Sequence, residues 1–447
     1  MRILLINPPR SPANAIHDWA PPEARHLVHR KLIGPPLGLL TVAAAVEDRH
    51  EVSLLELKGE YDLRPDAPPP EVLVREAVES FRPDVAGVTF IASEHPAGMS
   101  ILREIKRCSP EVLTVAGGLH AILCPEHFDD PAVDIVFVSQ AAQVFGELMD
   151  ALARGRPLDE VGGVLVRGPS GLRPTPAPPT AWDPAGRDYL VPDRSLIEPW
   201  LSTYVVGKAT GPSTYLFTSL GCPHRCTFCS IWHQYGGAFH QRDVESVVAE
   251  LATLDQYEVV RFADANTVVD LDFASWLFDR IAAEGIRFTY VMDIRVDTAI
   301  RAPWLIEKMA RGGLKVVIAG FESFRSDELR RYRKKLEPDQ VEKAVRIFHD
   351  NGIMVRGNYV ISPDYDERDF EGLAAFASEH RVALAGYTIL TPMPGTDFHR
   401  EVRDQIVDHD LSKYNFFNCV LRTKLPLERF YEHVGDLWRI RLGTEVI

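Results

Sequence analysis

The chain has 447 residues, 46% hydrophobic and 25% charged, with a formal net charge of −14. That length exceeds one ordinary domain and suits two or three. The acidic balance argues against a nucleic-acid partner, which demands a basic footprint, and permits a cationic small-molecule substrate. No run approaches the roughly 20 apolar residues of a membrane span. Met1–Pro9 also lacks the apolar region and cleavage site of a secretory signal. A cytoplasmic protein with no membrane partner is therefore expected.

Residues 1–155 alternate β-rich runs (Ile3–Ile6, Val52–Leu57, Val85–Phe90, Leu113–Ala116, Ile135–Val138) with helical patterns (Leu37–Val46, Val72–Phe81, Met99–Cys108, Val144–Leu152). Apolar strands alternating with helices predict an α/β domain with a parallel, doubly wound, Rossmann-like sheet. Such sheets bind ligands at the carboxyl ends of their strands. Residues 156–205 read as a connector. Val161–Arg167 is a small strand, after which Pro174, Pro176, Pro178, Pro179, Pro184, Pro192 and Pro199 stiffen an extended segment.

A second series occupies residues 206–400. Its strands are Thr214–Ser219, Val259–Ala263, Phe288–Met292, Lys315–Ala319, Val355–Ile361 and Gly386–Leu390, with helices between them. Six βα units predict a partial (β/α)6 barrel whose working face is the carboxyl end of its strands. Ser326 and Asp339 are expected to cap two of the helices. Residues 401–447 read as a helical extension.

Of six cysteines, Cys108, Cys124 and Cys419 stand alone and read as buried structural thiols. The other three, Cys222, Cys226 and Cys229, follow the first barrel strand with the spacing C-x₃-C-x₂-C. Three thiolates on one loop hold three irons of a cubane and leave the fourth iron open. Zinc, with His224 or His233 as fourth ligand, is the competing reading. It lacks the second ligand pair that structural zinc sites usually show.

This motif resembles that of the radical S-adenosylmethionine (SAM) superfamily. The resemblance implies a [4Fe–4S] cluster on Cys222, Cys226 and Cys229 whose open iron binds SAM, with reductive cleavage to a 5′-deoxyadenosyl radical that abstracts hydrogen. It implies Phe228 beside the adenine and, at successive strand ends, Asp264, Arg295, Glu322, Asn358 and Thr391 as SAM contacts. An electron donor such as flavodoxin or ferredoxin follows.

The domain order resembles the cobalamin-binding-domain subclass, helped by Pro35-Pro36-Leu37-Gly38-Leu39 and Gly117-Gly118-Leu119-His120. Most members of that subclass transfer methyl groups. Two departures argue against cobalamin here. Lys58-Gly59-Glu60-Tyr61 stands where a cobalt-ligating His loop is often found. Ser139-Gln140-Ala141-Ala142-Gln143 replaces a Gly-rich turn and puts side chains where backbone would approach a ligand. The expectation is a vestigial first domain, with cobalamin possible but not favoured. The chain then looks most like the radical SAM diol dehydratases of aminoglycoside (apramycin-type) biosynthesis, which remove water from a 1,2-diol. That would imply a cationic aminosugar substrate, a downstream ketone reductase, and an acid–base carboxylate among Asp293, Asp297, Asp364 and Asp397. The alternatives are a cobalamin-dependent radical SAM methyltransferase and a ligand-binding regulator with a structural cluster.

Overall fold

The computed structural model describes residues 1–22, 25, 34–176, 189–205, 211–380, 382 and 384–439. Pro178, Pro179 and Pro184 of the connector and residues 440–447 of the expected extension lie outside the described residues. The described chain divides into two compact units, residues 1–12, 35–176 and 189–203 in the first, and 13–22 and 204–439 in the second.

The first unit is built on a seven-stranded sheet of order β2-β1-β3-β4-β5-β6-β7. Its strands are β1 (Arg2–Asn7), β2 (Glu51–Glu56), β3 (Val85–Thr89), β4 (Leu113–Gly117), β5 (Ile135–Phe137), β6 (Val164–Gly168) and β7 (Gly171–Pro174). Pairing is parallel through β5 and antiparallel for β6 and β7. β1 is buried along nearly its whole length, as a strand covered by helices on both faces must be. Leu4, Ile6, Val74, Val88, Phe90, Ile101 and Val136 form part of the core beneath it. Because β1 lies between β2 and β3, the strand order reverses there, the place where open sheets of this kind take ligands.

The second unit carries six parallel strands in chain order: β8 (Ser213–Leu216), β11 (Val259–Phe262), β12 (Thr289–Asp293), β13 (Leu314–Glu322), β14 (Met354–Ile361) and β15 (Leu384–Ile389). Among the described residues no ladder joins β15 to β8, so the barrel is partial. The expected first barrel strand ends early, at Leu216. Beyond it, Asp264 draws Thr218 and Ser219 away from the ladder, and β9 (Ser219–Gly221) pairs antiparallel with β10 (Phe239–Gln241). Gly221 enters the cysteine loop at φ +82°, where a Cβ would stand 2.2 Å from the Ala238 carbonyl oxygen. Only glycine fits there.

The capping expectation is corrected. Ser326 is the first residue of its helix and gives its hydroxyl to Glu337, while the helix Pro338–Asp350 is capped by Glu337 rather than Asp339. Residues 401–426 are mostly turns and short 3₁₀ segments, and the C-terminal helix is Leu427–Arg439. Among the described residues no helix is long and apolar enough to cross a membrane.

Candidate active site

The carboxyl ends of β11 to β14 surround a cavity of about 170 Å³. Its walls include Asn266, Asp293, Arg295, Asp297, Gly320, Glu322, Lys334 and Asn358. Glu322 reaches it through a distortion. The β13–β14 register shifts between Gly320 and Glu322, and Glu322 sits at φ +62°, a region costly for a non-glycine residue and typical of functional sites. Its Oε1 lies 2.7 Å from Lys334 Nζ, with both side chains almost wholly buried. A Cβ at Gly320 would come within 2.2 Å of that oxygen and 2.9 Å of the ammonium, so glycine makes room for the pair. Burial works against the Lys334 charge, but Glu322 and Cys226 outweigh it and raise its pKa on balance.

Two further pairs charge the wall. Arg261 donates to Asp293 at 2.9 Å, and Arg295 to Asp297 at 2.8 Å. Burial pushes the Asp293 carboxyl up, and Arg261 opposes this. Asn266 is buried, and its side-chain oxygen has no protein partner. An acceptor without a partner on a cavity wall fits a ligand ammonium or hydroxyl.

The cysteine loop is braced from several directions. Thr227 N donates to the Tyr332 carbonyl at 3.3 Å, Phe398 N to the Thr227 carbonyl at 2.9 Å, and Trp232 Nε1 to the Cys226 carbonyl at 3.0 Å. Burial pushes all three thiols up, Cys229 to about 11, while Arg295 and Lys334 pull Cys222 and Cys226 back towards thiolate. Three thiols on one braced loop, with no second ligand pair beside them among the described residues, fit a [4Fe–4S] cluster that leaves one iron without a protein ligand.

The remaining sequence-derived residues divide clearly. Phe228 packs edge-on against Tyr332 at 5.3 Å between ring centroids. Thr391 is buried with its hydroxyl on the Ile389 carbonyl. Asp264 spends its carboxylate on Thr218 and Ser219, accepting from both backbone N–H groups and both hydroxyls. It holds the approach to the cysteine loop, and neighbouring Asn266 faces the cavity instead. Asp293 and Asp297 come together on the wall. Asp397 instead pairs with Arg333 at 2.9 Å and with Arg400, and Asp364 is exposed; neither lines the cavity. Sequence reasoning missed Lys334, and within the segment Phe262-Ala263-Asp264-Ala265-Asn266 it chose Asp264 where Asn266 lines the cavity. The signal for Lys334 was the basic run Arg330-Arg331-Tyr332-Arg333-Lys334-Lys335 shortly after Gly320-Phe321-Glu322-Ser323.

The carboxyl edge of the first unit is arranged differently. After β2 the chain enters the helix Leu57–Leu63 directly, with Glu56 as its cap. Asn7 Nδ2 donates to Glu56 at 2.6 Å, Lys58 pairs with Glu94 at 2.7 Å, Arg10 with Asp62 at 2.9 Å, and Trp200 Nε1 donates to Glu60 at 3.0 Å. Residues 57–63 contain no histidine that could ligate cobalt. Elsewhere the edge suits a bulky ligand. A Cβ on Gly38 would meet nothing within 4 Å, and one on Gly117 only Phe137 at 3.8 Å. Bare backbone of this kind admits close approach. In the turn whose Ala and Gln side chains were expected to intrude, Ser139 spends its hydroxyl on the Gly163 carbonyl at 3.0 Å. The residues therefore fit a cobalamin that takes no cobalt ligand from the stretch after β2, and the argument for a vestigial domain weakens.

Comparison with known proteins agrees with these two units. Residues 216–377 match the family model of the radical SAM superfamily, and residues 26–149 match that of the B12 binding domain. An uncharacterised methyltransferase of Pyrococcus horikoshii is 28% identical over 433 residues, 95% of this chain and 88% of that protein. The hopanoid C-3 methylase of Methylococcus capsulatus is 27% identical over 403 residues, 89% of this chain and 74% of that protein. Among solved structures, the radical SAM methyltransferase TsrM from Kitasatospora setae, with cobalamin and a [4Fe–4S] cluster bound, has the same fold. Its TM-score is 0.73 at 17% identity, covering 98% of this chain and 90% of that one.

Proposed function

We propose that this chain, an enzyme of the radical SAM class with a B12-binding-type first domain, is a cobalamin-dependent methyltransferase. One observation carries the reading: two relatives named for methyl transfer align along most of their own length and most of this chain. This reverses the weighting drawn from sequence, which favoured dehydration and kept methyl transfer as the alternative. When bound, the cluster with SAM would supply radical chemistry and cobalamin a transferable methyl group.

The residues of the chain bind and orient. Cys222, Cys226 and Cys229 hold the cluster. Asn266 offers its free carboxamide oxygen to the SAM amino group, and Arg295 offers its guanidinium to the SAM carboxylate. Glu322, fixed by Lys334, and Asn358 meet the ribose and adenine. The Arg261–Asp293 pair holds the cavity wall in place. A small-molecule substrate, cationic in keeping with the acidic chain, and a flavodoxin- or ferredoxin-type donor in the cytoplasm complete the proposal.

A second reading, dehydration of a 1,2-diol, draws on the missing cobalt ligand after β2 and the cavity carboxylates Asp293 and Asp297. It would engage a ketone reductase downstream. Product analysis separates the two. Reduced, reconstituted enzyme given SAM is expected to form S-adenosylhomocysteine only when cobalamin is present. Formation of 5′-deoxyadenosine and methionine alone, unchanged by cobalamin, would overturn methyl transfer.

A further inference from the structure

In the first unit, β4 ends at Gly117, and the turn that follows gathers three metal-ligating side chains. Gly118 adopts φ +93°, where a Cβ would stand 2.7 Å from Phe90 N. The chain can thus turn sharply into the short helix Leu119–Leu123, anchored by His120 N on the Phe90 carbonyl at 2.9 Å. Residues four apart on a helix share a face, so His120 and Cys124 lie together, with Cys124 N on the His120 carbonyl at 2.9 Å. The 3₁₀ turn Pro125–Phe128 then brings His127 back, its N–H on the Cys124 carbonyl at 3.1 Å.

The result is an H-x₃-C-x₂-H segment whose three ligand atoms all lie within 4.8 Å of one another. We propose that His120, Cys124 and His127 form a zinc site at the carboxyl edge of this sheet. His120 Nε2 and His127 Nδ1 stand 3.0 Å apart. In the metal-free chain this contact is a ring-to-ring hydrogen bond; two imidazole nitrogens on one tetrahedral zinc stand about 3.3 Å apart, so zinc would replace that bond as the rings turn both lone pairs onto the metal. Two nitrogens and one sulfur are a donor set zinc favours, and the exposed side of His127 leaves the fourth position to solvent.

The surroundings support this. His120 and Cys124 are 2% and 3% exposed, with Phe90 and Phe128 against the histidine cluster. His95, first residue of the helix His95–Cys108, donates from Nε2 to the His127 carbonyl at 3.0 Å and holds the turn in place. Zinc uptake expels the Cys124 thiol proton to solvent as the zinc–sulfur bond forms.

The test uses the full-length enzyme with its iron–sulfur cluster reconstituted, so that Cys222, Cys226 and Cys229 are occupied. It is titrated with zinc chloride, and bound metal is measured together with zinc K-edge absorption. About one zinc per chain is expected, with one sulfur near 2.3 Å and nitrogens near 2.0 Å. Cys124→Ser and His127→Ala should each weaken zinc binding at least about tenfold while iron stays unchanged. His127 lies in an exposed turn, so His127→Ala tests the site without disturbing the core. No zinc binding by the wild type, or equal binding by wild type and both variants, would overturn the site. Methyl transfer is tested separately, by the products formed from SAM with and without cobalamin.

Discussion

Both units place polar groups at the carboxyl edge of a parallel sheet, yet the two edges are used in opposite ways. In the first, Asn7 with Glu56, Lys58 with Glu94 and Arg10 with Asp62 satisfy one another and leave no partnerless polar atom among these residues. In the second, comparable pairs stand around a cavity, the Glu322 backbone on its wall is strained, and the Asn266 oxygen is left over. Buried pairs therefore do not mark a site by themselves. A cavity, a strained carboxylate and an unspent acceptor together do.

The largest expected effect breaks the second edge outright. Cys226→Ala should drop bound iron from about four per chain to background and abolish SAM cleavage, measured by iron analysis and chromatography of SAM products. Retained cleavage would mean that the loop is not the cluster site.

A matched pair of variants sharpens the comparison. Lys334→Met and Lys58→Met each leave a buried carboxylate without its partner, at a cost of about 3 kcal/mol in denaturant unfolding. Only Lys334→Met should also weaken SAM binding, by at least about tenfold on the charge-pair logic of buried sites. Equal loss of SAM affinity in both would erase the distinction between the edges.

Asp264 gives a smaller, pH-dependent effect. Burial raises its carboxyl from 3.8 to about 6, so between those values the folded state holds more protons than the unfolded one. Its contribution to stability is therefore greatest below pH 3.8 and declines as pH rises through about 6. Wild type should lose stability relative to Asp264→Asn over that window, as followed by melting temperature. A difference that stays flat with pH would show that this carboxylate does not titrate as described.

The least disruptive changes lie off the cavity. Asp364→Asn should alter stability by no more than about 0.5 kcal/mol and leave SAM cleavage intact. A large loss of activity would return that carboxylate to the acid–base candidates.

How much was legible follows from how each feature is encoded. Strands with apolar runs on both faces, such as β1 and β14, announced themselves. The family resemblance pointed to Arg295, Glu322 and Asn358 at strand ends, and these line the cavity together with the acid–base candidates Asp293 and Asp297. Lys334 was hidden because it reaches Glu322 from a turn, across a bulge that no periodicity signals. The work of Asp264 was hidden because its four partners lie 45 and 46 positions away. Helix caps went to Glu337 and Arg325 because a proline or an ion-paired arginine fixed the entry first. Cys124 read as a lone thiol because its partners belong to a turn that only Gly118 allows.

The most direct test of the account is the iron and cobalt content of the full chain after anaerobic reconstitution with excess hydroxocobalamin. About four irons and about one cobalt per chain are predicted. About four irons with no cobalt would contradict methyl transfer and leave a radical enzyme that acts on its substrate directly.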